Sequence, residues 1–186
     1  LRRSKMTRRD VIKGGGLLGL LFFSNPLAFA TSFLQEEFKR GFRYLDLYAV
    51  NTGERERIAY WIDGEYLKDA LDRINYLLRD YRSGDVASID PNLLDLVYIT
   101  TRLCEKDKVL VISGYRSFVT NYIMHQRKKG VAEHSYHTKG KAVDIRIEGV
   151  PLKTLRDVAV ALRAGGVGYY PKSGFVHMDT GPVRHW

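Results

Sequence analysis

The sequence predicts an α+β fold: a single domain in which an antiparallel sheet is flanked by helices. Three observations carry that expectation. Helix-periodic and β-rich segments alternate without a regular βαβ rhythm. Strand-like segments near both ends of the domain are joined by short turn sequences, as hairpins are. Setting aside the first 30 of 186 residues leaves 156, enough for one domain with a sizeable core.

The elements follow in order. Tyr44-Leu45-Asp46-Leu47-Tyr48-Ala49-Val50 alternates partially, Asn51-Thr52-Gly53-Glu54 is turn chemistry, and Arg57-Ile58-Ala59-Tyr60-Trp61 returns before Asp63-Gly64. Tyr66 to Tyr81 has apolar residues at Leu67, Ala70, Leu71, Ile74, Leu77 and Leu78, a helical spacing. Asp90 as N-cap and Pro91 at the first helical position start a second helix running to about Glu105. Lys108 to Ile112 is a buried strand that ends at Ser113-Gly114-Tyr115-Arg116-Ser117. Ser117 or Thr120 caps a third helix through about Lys129. Ala142 to Ile147 is a strand carrying Asp144, and Pro151 to Ala164 is a helix closed by Gly165-Gly166. Val167 to Tyr170 and Gly174 to Met178 form a terminal hairpin.

The first thirty residues read as a removable address. Thr7-Arg8-Arg9-Asp10-Val11-Ile12-Lys13 carries a twin arginine, Gly14 to Phe23 is apolar and glycine-rich, and Ala28-Phe29-Ala30 is a small-x-small cleavage site. The pattern resembles a bacterial twin-arginine export signal cleaved after Ala30, with an uncleaved anchor as the alternative. It implies the twin-arginine translocation machinery as a partner and no stable membrane span once cleaved. Phe33 to Phe42 is a short linker or helix. The first thirty residues hold six Lys/Arg and one acid, so the net charge of +9 falls to +4 beyond them. The basic balance therefore gives no ground for nucleic-acid binding; a modest cationic surface suits an anionic polymer. The single cysteine, Cys104, excludes an intrachain disulfide and a thiolate cluster, and its apolar helical setting marks a buried structural thiol.

The chemistry concentrates in His137-Thr138-Lys139-Gly140-Lys141-Ala142-Val143-Asp144 and, much later, His177-Met178-Asp179. Two imidazoles and a carboxylate suit a divalent metal such as zinc, and three ligands leave one position for water. Gly140 and the β-rich Ala142-Val143-Asp144-Ile145 argue against one continuous helix, so His137 lies in a loop and Asp144 on the strand after it. His177 lies on another strand. Asp179, two residues on, projects to the same face. It is placed either to hold the water or to orient a ligand imidazole; the water-activating role is the favoured expectation. Taken alone, a His-x₆-Asp spacing is also common in plain hydrogen-bond networks, and no His-Glu-x-x-His helix is present.

The string Ser135-x-His137-x-x-Gly140-x-Ala142-x-Asp144, preceded by Ser113-Gly114-Tyr115-Arg116-Ser117 and followed by His177-x-Asp179, resembles the M15 peptidases. That group includes zinc D-Ala-D-Ala carboxypeptidases and dipeptidases and is related to the hedgehog-type fold. Over nearly all of the chain past the export segment, the resemblance extends to the exported MepK-type murein endopeptidase branch. Asp90-Pro91-Asn92-Leu93-Leu94-Asp95-Leu96 and Gly181-Pro182-Val183-Arg184 are among the matching segments. The resemblance implies His137, Asp144 and His177 as ligands of one zinc per chain. Many M15 relatives carry an acidic base three residues before the last ligand; that position here is Gly174, which leaves Asp179 as the nearest acid.

Arg116, at a strand end before a helix, can clamp a substrate carboxylate or stabilise a developing oxyanion, and the M15 resemblance implies the same role. A structural ion pair is the alternative. Ser135 binds substrate or fixes its loop. Tyr115, Tyr136 and Tyr170 either line the groove or pack. His134 is not taken as a ligand, His125 reads as part of a solvated helix face, and Trp186 packs against the domain. The expected function is zinc-dependent hydrolysis of peptidoglycan cross-links in the periplasm or at the wall. A wall-peptide carboxypeptidase and a non-hydrolytic, zinc-bearing wall-binding domain are the alternatives.

Overall fold

In the computed structural model, the residues described are 41–127 and 131–186. The expected export signal at 1–30 and most of Phe33 to Phe42 lie outside them. Gly41–Trp186 forms one unit. Its elements are β1 (Phe42–Ala49), β2 (Arg55–Ile62), β3 (Glu65–Tyr66), α1 (Lys68–Leu77), α2 (Pro91–Leu103), β4 (Lys108–Ser113) and α3 (Phe118–Arg127). A 3₁₀ turn at Tyr136–Lys139 follows, then β5 (Ala142–Ile147), α4 (Leu152–Leu162), β6 (Gly166–Tyr170), β7 (Phe175–Asp179) and β8 (Arg184–His185). All eight strands join one sheet in the order β3-β2-β1-β4-β5-β7-β6-β8.

The α+β class is as expected, and the sheet is mixed rather than wholly antiparallel. β1 pairs with β4 in parallel, and β6 with β8 in parallel; the other pairs are antiparallel. The first parallel pair arises because the chain leaves β1 through the β2–β3 hairpins. It then crosses through α1 and α2 and returns along the other edge of β1. Parallel neighbours require such a crossover.

Alternation along the central strands separates two faces. Val143, Ile145 and Ile147 of β5, Val176 and Met178 of β7 and Val167 of β6 join the hydrophobic core. Against this face lie Leu93, Leu94 and Val97 of α2, and Leu155 and Ala159 of α4. Each such large apolar side chain contributes roughly 1.5–3 kcal/mol on burial. Asp144, His177 and Asp179 alternate with these residues and face the other way. The core that stiffens β5 and β7 therefore fixes the direction of the polar set.

Local sequence accounts for the starts of α2 and α3. Asp90 caps α2, its side chain accepting from the Asn92 N–H, with Pro91 at the first position. The same carboxylate accepts from Thr180 Oγ1 at 2.8 Å, and the Asp90 N–H donates to the Gly140 carbonyl at 2.9 Å. The helix cap thus ties α2 to both halves of the polar set. The Ser117 hydroxyl caps α3 by accepting from the Thr120 N–H at 3.2 Å. The first helix is shorter than its apolar spacing predicts. Tyr66 is drawn into β3 by pairing with Trp61, and its hydroxyl donates to Asp95 at 2.7 Å. Tertiary contacts there override local propensity.

Candidate active site

Three short pieces of chain bring His137, Asp144 and His177 together. Asp144 on β5 lies directly across from His177 on antiparallel β7, so both side chains stand on one face. His137 comes from the 3₁₀ turn, whose cap Ser135 accepts from the His137 N–H at 3.3 Å. Gly140 ends that turn with φ of 65°. A Cβ there would also lie 2.1 Å from the Ser88 carbonyl oxygen, so the position needs glycine for both conformation and space. The His137 carbonyl accepts from the Arg116 N–H at 3.2 Å, which stitches the turn to the chain after β4.

The ligand-type atoms of the three residues all lie within 4.8 Å of one another, and all three residues are buried. His137 Nε2 is 3.2 Å from Asp144 Oδ1, and His177 Nδ1 is 2.9 Å from the same oxygen. The two imidazole nitrogens are 3.2 Å apart.

The outer nitrogens decide what the inner ones carry. His137 Nδ1 lies 2.7 Å from the Gly114 carbonyl, which can only accept. His177 Nε2 lies 2.9 Å from Asp179 Oδ2, an ionised carboxylate that also only accepts. Both outer nitrogens therefore donate, so in the neutral imidazoles, the form that binds a metal, both inner nitrogens present a lone pair on the Asp144 side. Three electron-rich atoms converge on one point. The local field favours a cation there. Burial opposes the charge on Asp144, but protons on the inner nitrogens, in the place a metal ion would take, let His137 and His177 outweigh it and hold the carboxyl well below its usual range. Burial likewise disfavours the His177 cation, and Asp144 and Asp179 outweigh it and push the imidazole up.

Asp179 does not have the surroundings of a proton acceptor. It is fully buried, and five donors converge on its two oxygens. Oδ2 accepts from His177 Nε2 and from Arg184 Nη2 at 2.7 Å. Oδ1 accepts from Arg184 Nη1 at 3.1 Å, from the Gly181 N–H at 2.8 Å and from the Gly166 N–H at 3.2 Å. Burial alone would raise this carboxyl's pKa, but the bonds from His177, Arg184 and Gly181 hold it far below the usual range. It also lies on the outer nitrogen of His177, away from the converging lone pairs. These surroundings suit the orienting role better than the water-activating role expected from His177-x-Asp179.

The three residues open into a groove of about 840 Å³. Arg116, Ser135, Tyr136, Tyr170, Arg184 and Trp186 are on its wall. Among the described residues lining it, Asp144 is the only carboxylate, and His134 is the only imidazole besides His137 and His177. Arg116 is buried, with Nη1 donating to Asn121 Oδ1 at 3.2 Å and Nε without a hydrogen-bond partner among the described residues. Burial foremost lowers its pKa. Ser135 serves its loop and also faces the groove. Tyr115 is not on the groove wall. It is partly buried and packs against the core.

Some site residues escaped the sequence. Arg184, which clamps Asp179, is five residues away and looks like an ordinary surface cation. Trp186 packs against the site itself: its ring centroid is 5.5 Å from that of His177, and its indole N–H donates to Tyr170 Oη at 2.8 Å. Gly166 and Gly168 make room for both. A Cβ on Gly166 would meet Arg184 Nη1 and Asp179 Oδ2 at 2.5 Å, and one on Gly168 would meet the Trp186 ring at 2.8 Å. The Gly-x-Gly alternation in β6 was the available signal.

A family model described as peptidoglycan L,D-endopeptidase MepK, of the M15 peptidases, matches residues 37–186. The peptidoglycan L,D-endopeptidase MepK of Escherichia coli K12 is 43% identical over 180 residues, covering 96% of each chain. The Shigella flexneri protein of the same name matches to the same extent. A probable peptidoglycan L,D-endopeptidase MepK of Haemophilus influenzae is 46% identical over 146 residues, 77% of this chain and 78% of that one. No solved structure matches the chain.

Proposed function

The chain belongs to the peptidoglycan L,D-endopeptidase MepK family of M15 peptidases, and from that premise we propose that His137, Asp144 and His177 hold one zinc ion that serves cross-link hydrolysis. The protein is a peptidoglycan endopeptidase. The observation that carries the metal assignment is the pair of imidazoles whose outer N–H groups are engaged, so that both inner lone pairs meet the Asp144 oxygen. The donor set fits the ion. Zinc–nitrogen bonds of about 2.0–2.1 Å in a tetrahedron put ligand atoms roughly 3.3–3.4 Å apart. The three separations here are 3.2, 2.9 and 3.2 Å.

When bound by such a set, zinc acidifies water and polarises a carbonyl oxygen. The chain's own residues do the rest. Asp179 fixes the His177 tautomer and ring plane, and Arg184 keeps that carboxylate ionised and in place. Gly114 does the same for His137 through its carbonyl. Arg116 faces the groove with unsatisfied donor capacity and takes a substrate carboxylate or the oxygen that gains charge as the amide carbonyl is attacked. Ser135, Tyr136 and Tyr170 line the path of the peptide. With Asp179 saturated by donors, the attacking water would lose its proton to solvent in the groove, and the leaving amine would gain one from the same solvent.

The L,D designation of the relatives favours an L-configured acyl residue joined to a D-configured amine. That points to the diaminopimelate-to-diaminopimelate bond over D-Ala-to-diaminopimelate. The substrate places the protein at the cell wall, and the twin-arginine sequence supports delivery to the periplasm. No helix among the described residues is long and apolar enough to cross a membrane.

Incubation of the zinc-loaded chain with both defined muropeptide dimers, followed by mass analysis, tests the assignment. The diaminopimelate-linked dimer is expected to yield monomers with the uptake of one water, and EDTA to stop this. Intact dimers after full zinc loading would instead favour the non-hydrolytic wall-binding alternative. Release of D-Ala alone would favour the carboxypeptidase.

A further inference from the structure

We propose that Arg82, stacked on Tyr81, docks a second carboxylate of the wall peptide at the groove, separate from the group that Arg116 takes. The proposal rests on the peptidoglycan assignment above and specifies the chemistry read by another part of the same groove.

Arg82 lies in the turn after α1, and both it and Tyr81 line the groove. Its guanidinium carbon sits 4.1 Å from the centroid of the Tyr81 ring. Among the described residues its guanidinium has no carboxylate or hydrogen-bond partner; only its backbone N–H is bonded, to Asp80 Oδ1 at 3.0 Å. Arg55, Arg79 and Arg184, by contrast, each meet a carboxylate at 2.6–2.8 Å.

The placement is built into the fold. Asp80 is buried, and its two oxygens hold two different segments. Oδ1 takes the Arg82 N–H, and Oδ2 takes the Ser117 N–H at 3.0 Å. The Asp80 backbone closes the same turn through bonds to Gly84 and Asp85 at 2.7 and 3.0 Å. Residue 117 directly follows Arg116. One buried carboxylate therefore fixes two guanidinium-bearing segments beside each other. It bonds their backbone N–H groups and neutralises neither side chain by direct contact. The two cations feel one another: after burial, Arg82 is among the influences that lower the Arg116 pKa. An anion reaching Arg82 relieves that repulsion. A guanidinium lying on an aromatic ring keeps its N–H edge free for a carboxylate, in the fork geometry that lysine lacks. Cross-linked wall peptides carry several free carboxylates.

The test uses the full chain, one diaminopimelate-linked dimer with free carboxylates, and the same dimer amidated at those groups. Binding is read by calorimetry on EDTA-treated protein, so the dimer stays intact, and KM and kcat are read on zinc-loaded protein. Arg82→Gln is expected to weaken binding and raise KM about tenfold on the free dimer, with kcat within about twofold. Arg82→Lys recovers only part of the loss. The amidated dimer binds the unsubstituted chain about tenfold more weakly and is insensitive to Arg82→Gln. Equal losses on both dimers, no loss on the free dimer, or no binding by the unsubstituted chain would each overturn the proposal. Carboxylate-dependent binding without hydrolysis would instead remove the proposed catalytic role of the site and leave the role of Arg82 standing.

Discussion

His177→Ala abolishes zinc binding and cross-link hydrolysis together, with turnover falling by roughly 10³-fold or more, because metal charge stabilisation is worth several kcal/mol. The substitution removes one of three converging ligand atoms and leaves Asp144 with His137 alone. It leaves the fold largely intact. Asp179 keeps the Arg184, Gly166 and Gly181 donors, so no buried carboxylate is stranded. The lost ring opens space mainly beneath Trp186, which is already half exposed. Metal analysis, turnover and circular dichroism on one preparation check this. Loss of zinc with retained ellipticity is the expected pair. Retained turnover without zinc would remove the ion from the chemistry.

Asp179→Ala separates the two roles this carboxylate could have. As the partner that orients His177, its loss lowers zinc affinity about 10–100-fold. Turnover then returns to within about tenfold of the unsubstituted chain once zinc is saturating. As the general base, its loss would leave zinc affinity intact and lower kcat by about 10²–10⁴-fold at any zinc concentration. The alanine variant also strands Arg184 and two backbone N–H groups, at a stability cost of about 1–3 kcal/mol for each buried donor left unpaired. Asp179→Asn is the gentler companion. It retains an acceptor for the backbone donors, but its amide cannot accept both Arg184 and the His177 N–H as the carboxylate does. A zinc titration of turnover for both variants reads the difference, and failure of excess zinc to restore rate would return the base role to Asp179.

The contrast between His177 and Asp179 marks how far sequence carried the site. The three ligand candidates stood out because two short motifs with the right donor types fell beside strand-forming residues. Ala142–Ile147 came out with the bounds expected, and Asp90-Pro91 fixed the start of α2. Such signals are local: a cap, a breaker, a run of β-formers. The role of Asp179 is not local. It depends on Arg184 from the next strand and on the Gly166 N–H from a neighbouring one, so spacing alone made the carboxylate look available when it is saturated. Tyr115 packs on the core instead of lining the groove, a choice that its neighbours in sequence do not reveal. The late start of the first helix, with Tyr66 bonded to Asp95, and the parallel β1–β4 pair both depend on contacts far apart in sequence.

The most direct test of the metal-centred account is a zinc titration of the metal-free full chain, with hydrolysis of the diaminopimelate-linked dimer as the readout. The account predicts no hydrolysis at the start, a linear rise to one equivalent of zinc per chain, and a plateau beyond it. Hydrolysis by the metal-free chain that zinc leaves unchanged, or a rise that continues to two equivalents, would contradict it.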